Sequence, residues 1–239
     1  MSFDSSNPTG SFSLPKDFGK VVRLFPLSNV VLFPGVVQAL HIFELRYRQL
    51  THDALQSDEL ITMAMENVGH VNSDDPRPEL LSTVCIGKVI SHTQFEDGRY
   101  NLLLVGTARA RTTKEIVTDH PYRMAEVEVL EDSLRYAPED AGPLRQQVLD
   151  LFRMLVDQRG ISDVESLSRL FDGDVPLGQL CDLICFACGA EPSQQQRVLE
   201  ESEICRRAEI LIQILHGLVS KSVPENNTVT GFPPEFSDN

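Results

Sequence analysis

The sequence lacks several features that mark membrane proteins and nucleic-acid binders. Its 239 residues include no tryptophan, and they contain 21 basic and 35 acidic side chains, which give a net charge of −14. No apolar run approaches the roughly 20 residues of a membrane helix. The acidity argues against a nucleic-acid partner, because recognition of its backbone needs clustered Lys and Arg. With 41% apolar residues, we expect a soluble globular protein of one or two domains.

The cysteines do not fit a disulfide framework. There are five, an odd number, and residues 1–20 contain no apolar stretch of the length that a secretion signal needs. Disulfides accumulate in exported proteins and are rare where thiols stay reduced. The sequence therefore predicts a cytoplasmic location.

Catalytic motifs are also missing. The two Gly-Lys pairs, Gly19-Lys20 and Gly87-Lys88, are each followed by Val and lack the preceding glycine of a phosphate-binding loop. No metalloprotease helix, nucleophile elbow or dinucleotide fingerprint is present, and the six histidines are scattered. We therefore expect no enzyme activity, no cofactor and no metal site.

The hydrophobic pattern divides the chain into a strand-rich part at 20–131 and a helical part at 138–221. In the first part, strands are predicted at 21–27, 36–42, 60–65, 84–95, 99–111 and 122–131, with a helix inserted at 43–55. The Asp97-Gly98 pair indicates a tight hairpin turn. In the second part, helices are predicted around 144–155, 177–186 and 204–218. Residues 132–143 are the predicted boundary, and 1–19 and 222–239 are predicted to be flexible tails.

Cys181, Cys185 and Cys188 form a C-x-x-x-C-aromatic-x-C string that is typical of iron–sulfur sites in radical enzymes. Here their spacing places them on one face of a predicted apolar helix. Free cysteine behaves as a small buried hydrophobic residue. We therefore interpret all three as core thiols, with an iron–sulfur cluster or a zinc ion as the alternatives.

Several specific segments occur along the chain in a characteristic order and spacing. Residues 25–35 read FPLSNVVLFPG and residues 40–47 read LHIFELRY. They are followed by IGKV at 86–89, DGRY at 97–100, VGTARA at 105–110, PYRMAEV at 121–127 and QQRVLE at 195–200. These segments resemble the N-terminal domain of Lon proteases, also called the La substrate-binding domain, in its free-standing form. Ala39 and Leu45 stand where the family usually has proline. The resemblance covers residues 20–220, without the ATPase and protease modules of full Lon proteases.

The resemblance implies an α+β fold, a PUA-like β pseudo-barrel with an inserted helix followed by a helical bundle. It also implies a non-catalytic module that binds unfolded or tagged polypeptides, and an adaptor that serves a separate protease or chaperone. Because PUA-like barrels often bind RNA, an RNA-binding module is the alternative, with Arg99, Arg109, Arg111 and Lys114 as its basic patch. A small-ligand binder or an unrecognised enzyme is the third hypothesis.

The candidate polypeptide-binding residues are apolar side chains of the strand-rich part: Phe33, Phe43, Met63, Met65 and Phe95. They fall outside strict strand alternation, and methionine suits an adaptable contact surface. Phe95 lies two residues before the hairpin turn, where a side chain is hard to bury. Phe33 and Phe43 also have a core interpretation, which we favour for both. In the family motif, Pro34-Gly35 is expected to form a corner, and Glu44, Tyr47 and Arg46 or Arg48 are expected to anchor the inserted helix to the barrel.

Overall fold

The computed structural model of the protein describes residues 14–67, 77–134, 138–160, 175–221 and 237–238. The strands in these ranges are β1 (Val21–Leu27), β2 (Val37–Ile42), β3 (Leu60–Met65), β4 (Thr83–Gln94), β5 (Tyr100–Ile116), β6 (Arg123–Leu130) and β7 (Ser237–Asp238). The helices are α1 (Leu45–Leu55), α2 (Pro138–Gln158), α3 (Leu177–Ala187), α4 (Pro192–Glu200) and α5 (Ile204–Lys221). None of these helices is long and apolar enough to cross a membrane.

Five strands close into a barrel. β1 pairs with β3 in parallel and with β6 in antiparallel orientation, and antiparallel pairs β3–β4, β4–β5 and β5–β6 complete the ring. β5 has 17 residues, so it is long enough to pair with β4 on one side and with both β2 and β6 on the other. β2 pairs with the first half of β5 and lies outside the ring.

The α+β fold expected from the sequence is confirmed, and most elements lie where the hydrophobic pattern predicted them. On β6, Ala125 and Val127 are buried whereas Glu126 and Glu128 are exposed, as the alternation predicted. The predicted boundary at 132–143 was too long, because α2 begins at Pro138 and contains Pro143. Helix α4 was not predicted, since it is short and mostly polar.

The corner at Pro34-Gly35 joins β2 to the barrel. Gly35 has a φ of 79°, which suits glycine, and its N–H donates to the carbonyl of Gly106 at 2.9 Å. The N–H of Gly106 in turn donates to the carbonyl of Val36 at 2.9 Å. A Cβ atom at residue 106 would overlap the carbonyl oxygen of Phe33 and lie 2.7 Å from its carbonyl carbon. Two backbone segments therefore meet at Gly106 with no room for a side chain.

We expect Gly106→Ala to lower the free energy of unfolding by about 1–3 kcal/mol, because backbone atoms must move to admit the methyl group. Chemical denaturation followed by far-ultraviolet circular dichroism measures the change. Gly217→Ala is the matched control: it lies in α5 with nothing within 4 Å of the added Cβ, and alanine favours a helix. Equal stability of the two variants would contradict the close approach.

One large core connects the barrel to the helices. Its buried side chains come from both predicted parts of the chain, for example Phe25 and Leu104 from strands and Leu180 and Leu211 from helices. A smaller cluster around Leu24 takes its buried side chains from all five strands of the ring. The division into domains at 20–131 and 138–221 therefore stays a prediction. Of the two predicted tails, residues 1–13, 222–236 and 239 lie outside the described residues.

Candidate functional site

Two of the five candidate residues meet at the surface. Phe43, at the exit of β2, is 42% exposed, and Phe95, before the hairpin turn, is 39% exposed. The ring of His41 lies between them, with its centroid 6.2 Å from that of Phe43 and 6.3 Å from that of Phe95. The three rings form one aromatic cluster on the outside of the barrel.

The strand register extends this cluster along one face. Residues Val37, Ala39 and His41 alternate onto the same side of β2, and Leu103 of β5 lies directly opposite Ala39. Val37 and Leu103 are both exposed. We call the surface formed by Val37, His41, Phe43, Phe95 and Leu103 the β2 face. Exposed apolar side chains grouped in this way mark interaction sites more often than scattered ones do.

Polar contacts hold the hairpin end of the β2 face. His41 Nδ1 and Asn101 Oδ1 lie 2.6 Å apart across β2 and β5. Gly98 donates its N–H to the carbonyl of Phe95 at 2.9 Å, and its φ of 82° closes the turn. The guanidinium of Arg99 lies 5.8 Å from the centroid of the Phe95 ring. These contacts orient Phe95 without covering it.

The other three candidates lie inside the protein. Phe33, Met63 and Met65 are buried in the large core, so their apolar surface is already used by folding. For Phe33 this agrees with the core interpretation made from the sequence. The same interpretation was wrong for Phe43, which follows the last residue of β2, Ile42, and is exposed.

Helix α1 is anchored mainly by packing. Tyr47 is buried with its ring centroid 4.5 Å from that of Phe25, and burial raises the pKa of its hydroxyl to about 12. The Glu44–Arg46 contact, at 2.8 Å, is local and exposed, so it does not tie the helix to the barrel as expected. Arg48 lies against Gly98 at the hairpin turn.

A network of four charges lies between the barrel and the helices, and three of them, Arg109, Asp182 and Arg207, are buried. Arg109 of β5 donates to the Asp182 carboxylate of α3, and Arg207 of α5 donates to Asp132. Arg207 Nη1 also lies 3.7 Å from Asp182 Oδ1, and Arg109 Nη1 lies 3.5 Å from Asp132 Oδ1. Burial raises the pKa of Asp182 to about 6, and the two guanidiniums offset only part of this desolvation.

The same network bears on the predicted basic patch for RNA. Arg109 is 3% exposed, and its Nε donates to the carbonyl of Leu199 at 3.1 Å. Arg111 lies opposite Glu128 in the strand register, and Lys114 lies opposite Glu126. One residue of the predicted patch, Arg109, is therefore buried, and two others lie opposite carboxylates. The geometry of these residues does not favour RNA binding.

All three cysteines of the C-x-x-x-C-aromatic-x-C string are buried, as predicted. Burial raises the pKa of Cys181 to about 12, which disfavours the thiolate that binds metals. Across the described ranges, no three His, Cys, Asp or Glu side chains are arranged to hold a metal ion. That the protein binds no iron or zinc stays a prediction.

The β2 face adjoins a strand edge that is mostly unpaired among the described residues. On its inner side β2 pairs with β5 over six residues, Val37 to Ile42. On its outer side, in the part of the chain that the structure describes, only Leu40 and His41 have strand partners, namely Ser237 and Asp238 of β7. An open edge presents backbone groups that can pair with another extended chain.

Comparison with known families agrees with this architecture. The family model of the ATP-dependent protease La (LON) substrate-binding domain matches residues 21–217. The chain belongs to this family. The match supports a substrate-recognition module and falls on the part of Lon proteases that binds substrates.

Sequence relatives are whole Lon proteases. The Lon protease of Dictyoglomus thermophilum is 26% identical over 193 residues, which cover 80% of this chain and 24% of that protein. Lon protease 2 of Myxococcus xanthus is 24% identical over 202 residues, covering 84% of this chain and 24% of that protein. The chain thus spans about a quarter of the length of these relatives.

Solved structures share the fold over nearly their whole length. The N-terminal domain of a Mycobacterium avium complex Lon protease has a TM-score of 0.63 at 18% identity, covering 84% of this chain and 99% of that one. A Lon N-terminal domain protein from Xanthomonas campestris has a TM-score of 0.55 at 23% identity, covering 81% and 97%. The barrel with its appended helices is the fold of the Lon substrate-binding domain.

Proposed function

We propose that this chain is a non-catalytic module that binds unfolded or tagged polypeptides in the cytoplasm through the β2 face. The observation that carries the proposal is the exposure of Phe43 and Phe95 on either side of His41, beside a strand edge. Aromatic side chains contribute large contact areas, and a strand edge adds main-chain hydrogen bonds that do not depend on the partner's sequence. Together these two features suit a surface that binds many different unfolded segments.

The relatives support a second proposal, an adaptor role. The proteins similar to this chain are named as Lon proteases, and the chain corresponds to about a quarter of each. We propose that the chain delivers bound polypeptides to a protease or chaperone and does not cleave them itself. Co-purification of a protease or chaperone with the tagged chain, dependent on an intact β2 face, supports this role.

The double variant Phe43→Ser, Phe95→Ser tests the binding surface. Each aromatic anchor contributes about 1–3 kcal/mol when a partner covers it, so we expect the loss of both to weaken binding by about 30-fold or more. Because both side chains are half-exposed, the melting temperature should change by only about 1–2 °C. Fluorescence anisotropy with fluorescein-labelled, reduced and carboxymethylated α-lactalbumin measures the affinity.

Val117→Ser, Met154→Ser is the matched control, because it removes two exposed apolar side chains away from the β2 face. We expect this variant to bind as the parent does. Equal weakening in both double variants would indicate non-specific adhesion to apolar surface. Unchanged affinity in Phe43→Ser, Phe95→Ser would locate the contact elsewhere on the molecule.

A further inference from the structure

One arginine beside the β2 face has no acidic partner among the described residues. Arg46 Nε lies 2.8 Å from the carboxylate of Glu44. Arg99 Nε lies 2.7 Å from the carboxylate of Asp97. Arg48, by contrast, forms no side-chain hydrogen bond and no ion pair within the ranges that the structure describes. A guanidinium has five N–H donors and always carries its charge, so Arg48 presents a cation with unfilled donors.

The guanidinium of Arg48 lies on the hairpin turn that follows Phe95. A Cβ atom built at Gly98 would overlap its Nη2 atom and lie 2.9 Å from its Cζ atom. The N–H of Gly98 donates to the carbonyl of Phe95 at 2.9 Å. The backbone N–H of Arg48 donates to the carbonyl of Glu44 at 2.8 Å, one residue after Phe43. The Arg48 side chain therefore spans from the helix that follows Phe43 to the turn that follows Phe95.

We propose that the β2 face selects unfolded segments in which an aspartate or glutamate lies next to an apolar residue, and that Arg48 binds the carboxylate. This inference rests on the proposed function and adds the class of polypeptide that the face prefers. The two oxygens of a carboxylate accept parallel hydrogen bonds from a guanidinium, which makes this pair geometrically specific. Phe43 and Phe95 would contact the apolar neighbour of the acidic residue at the same time.

The carboxylates of the hairpin turn leave Arg48 available. Asp97 accepts hydrogen bonds from both the Nε and the backbone N–H of Arg99, at 2.7 and 3.1 Å. Glu96 is exposed and forms no ion pair among the described residues. Arg48 itself is partly buried, and salt screens a partly buried pair less than an exposed one. An incoming carboxylate therefore meets a cation that no direct contact neutralises.

The net charge of the chain makes the proposal sharper. With 35 acidic and 21 basic side chains, the protein carries a charge of −14, so its long-range field repels acidic segments. A preference for an acidic segment therefore requires a local cation at the point of contact. If Arg48 is that cation, its removal should abolish the preference or reverse it.

The test compares two fluorescein-labelled, unstructured peptides of Phe, Gly and Ser with amidated C-termini. One has an aspartate beside each Phe and the other has an asparagine there, so they differ in charge but hardly in size. By anisotropy with the full chain, we expect the aspartate peptide to bind about 3- to 10-fold more tightly. Arg48→Gln should abolish this ratio, and Arg48→Lys, which keeps the charge, should retain part of it. Arg206→Gln, which removes the same charge from an exposed position on α5, should keep the full ratio.

The ratio of the two affinities separates recognition from folding, because a variant that only disturbs the hairpin weakens both peptides alike. Equal binding of both peptides by the parent overturns the inference and leaves the proposed function standing. A ratio that survives unchanged in Arg48→Gln also overturns it. An asparagine peptide with a free C-terminal carboxylate that binds as tightly as the aspartate peptide overturns the assignment to an acidic side chain. No binding of either peptide or of the labelled α-lactalbumin overturns the inference and the proposed function together.

Discussion

We expect Arg207→Met to lower the free energy of unfolding by about 3–5 kcal/mol, the range found when one partner is removed from a buried ion pair. Arg207 is fully buried, and its Nε donates to the carbonyl of Glu201 at 2.8 Å. Methionine fills part of the space but leaves this carbonyl without its donor and removes the cation that faces the buried carboxylate of Asp182. Because the chain has no tryptophan, urea denaturation followed by circular dichroism is the suitable measurement.

The neighbouring Arg206→Met is the control. Arg206 is exposed on the same helix, and its contacts with Glu201 and Glu209 are at 3.8 and 4.0 Å, so the change should stay within about 0.5 kcal/mol. The loss caused by Arg207→Met should also grow above about pH 6, because removing a nearby cation makes the ionised form of Asp182 still less favourable. Equal effects of the two substitutions would refute the role of the network.

Asp182→Asn changes how stability depends on pH. Burial raises the pKa of Asp182 in the folded state to about 6, whereas an unfolded aspartate titrates near 3.9. The folded state therefore holds this proton more strongly, so the stability supplied by Asp182 is complete below about pH 4 and is lost as the pH rises through 6. Relative to the parent, Asp182→Asn should gain about 2 kcal/mol between pH 4 and pH 7.

The measurement is a series of urea denaturation curves at half-unit pH steps for parent and variant. Asp150→Asn, at an exposed carboxylate on α2, corrects for the general effect of one negative charge fewer. Parallel curves for Asp182→Asn and the parent would show that the carboxyl group does not titrate in this range. A shift in favour of the parent would show that the arginines dominate its environment.

The barrel was accessible from the sequence because strand signals are local. Alternation on β6, the Asp97-Gly98 turn and the Pro34-Gly35 corner each act within a few residues, and each lies where it was predicted. Helix α4 was missed because its local signal is weak. Its start is defined by a capping box between Glu191 and Gln194, and its apolar positions, such as Val198 and Leu199, are too few to show a helical period.

The site was only partly predictable, because burial depends on partners far along the chain. The sequence indicated Phe95 as exposed from its place at the turn, but nothing local separated exposed Phe43 from buried Phe33. Arg109 looked like a surface cation until Asp182, 73 residues later, became its partner. One signal was available: Asp182 is a lone charge in an apolar helix, which requires a buried counter-charge.

The ion pair between Arg109 and Asp182 also bears on folding during synthesis, because the barrel strand that carries Arg109 is made before the helix that carries Asp182. The two residues are 73 positions apart, so at about 5–20 residues per second β5 waits roughly 4–15 s for its partner to be synthesised. During that interval Arg109, which is buried in the finished protein, and the half of the large core that comes from residues before α2 are exposed to solvent. The nascent barrel therefore exposes apolar surface for several seconds, as do the unfolded polypeptides that we propose the finished protein binds.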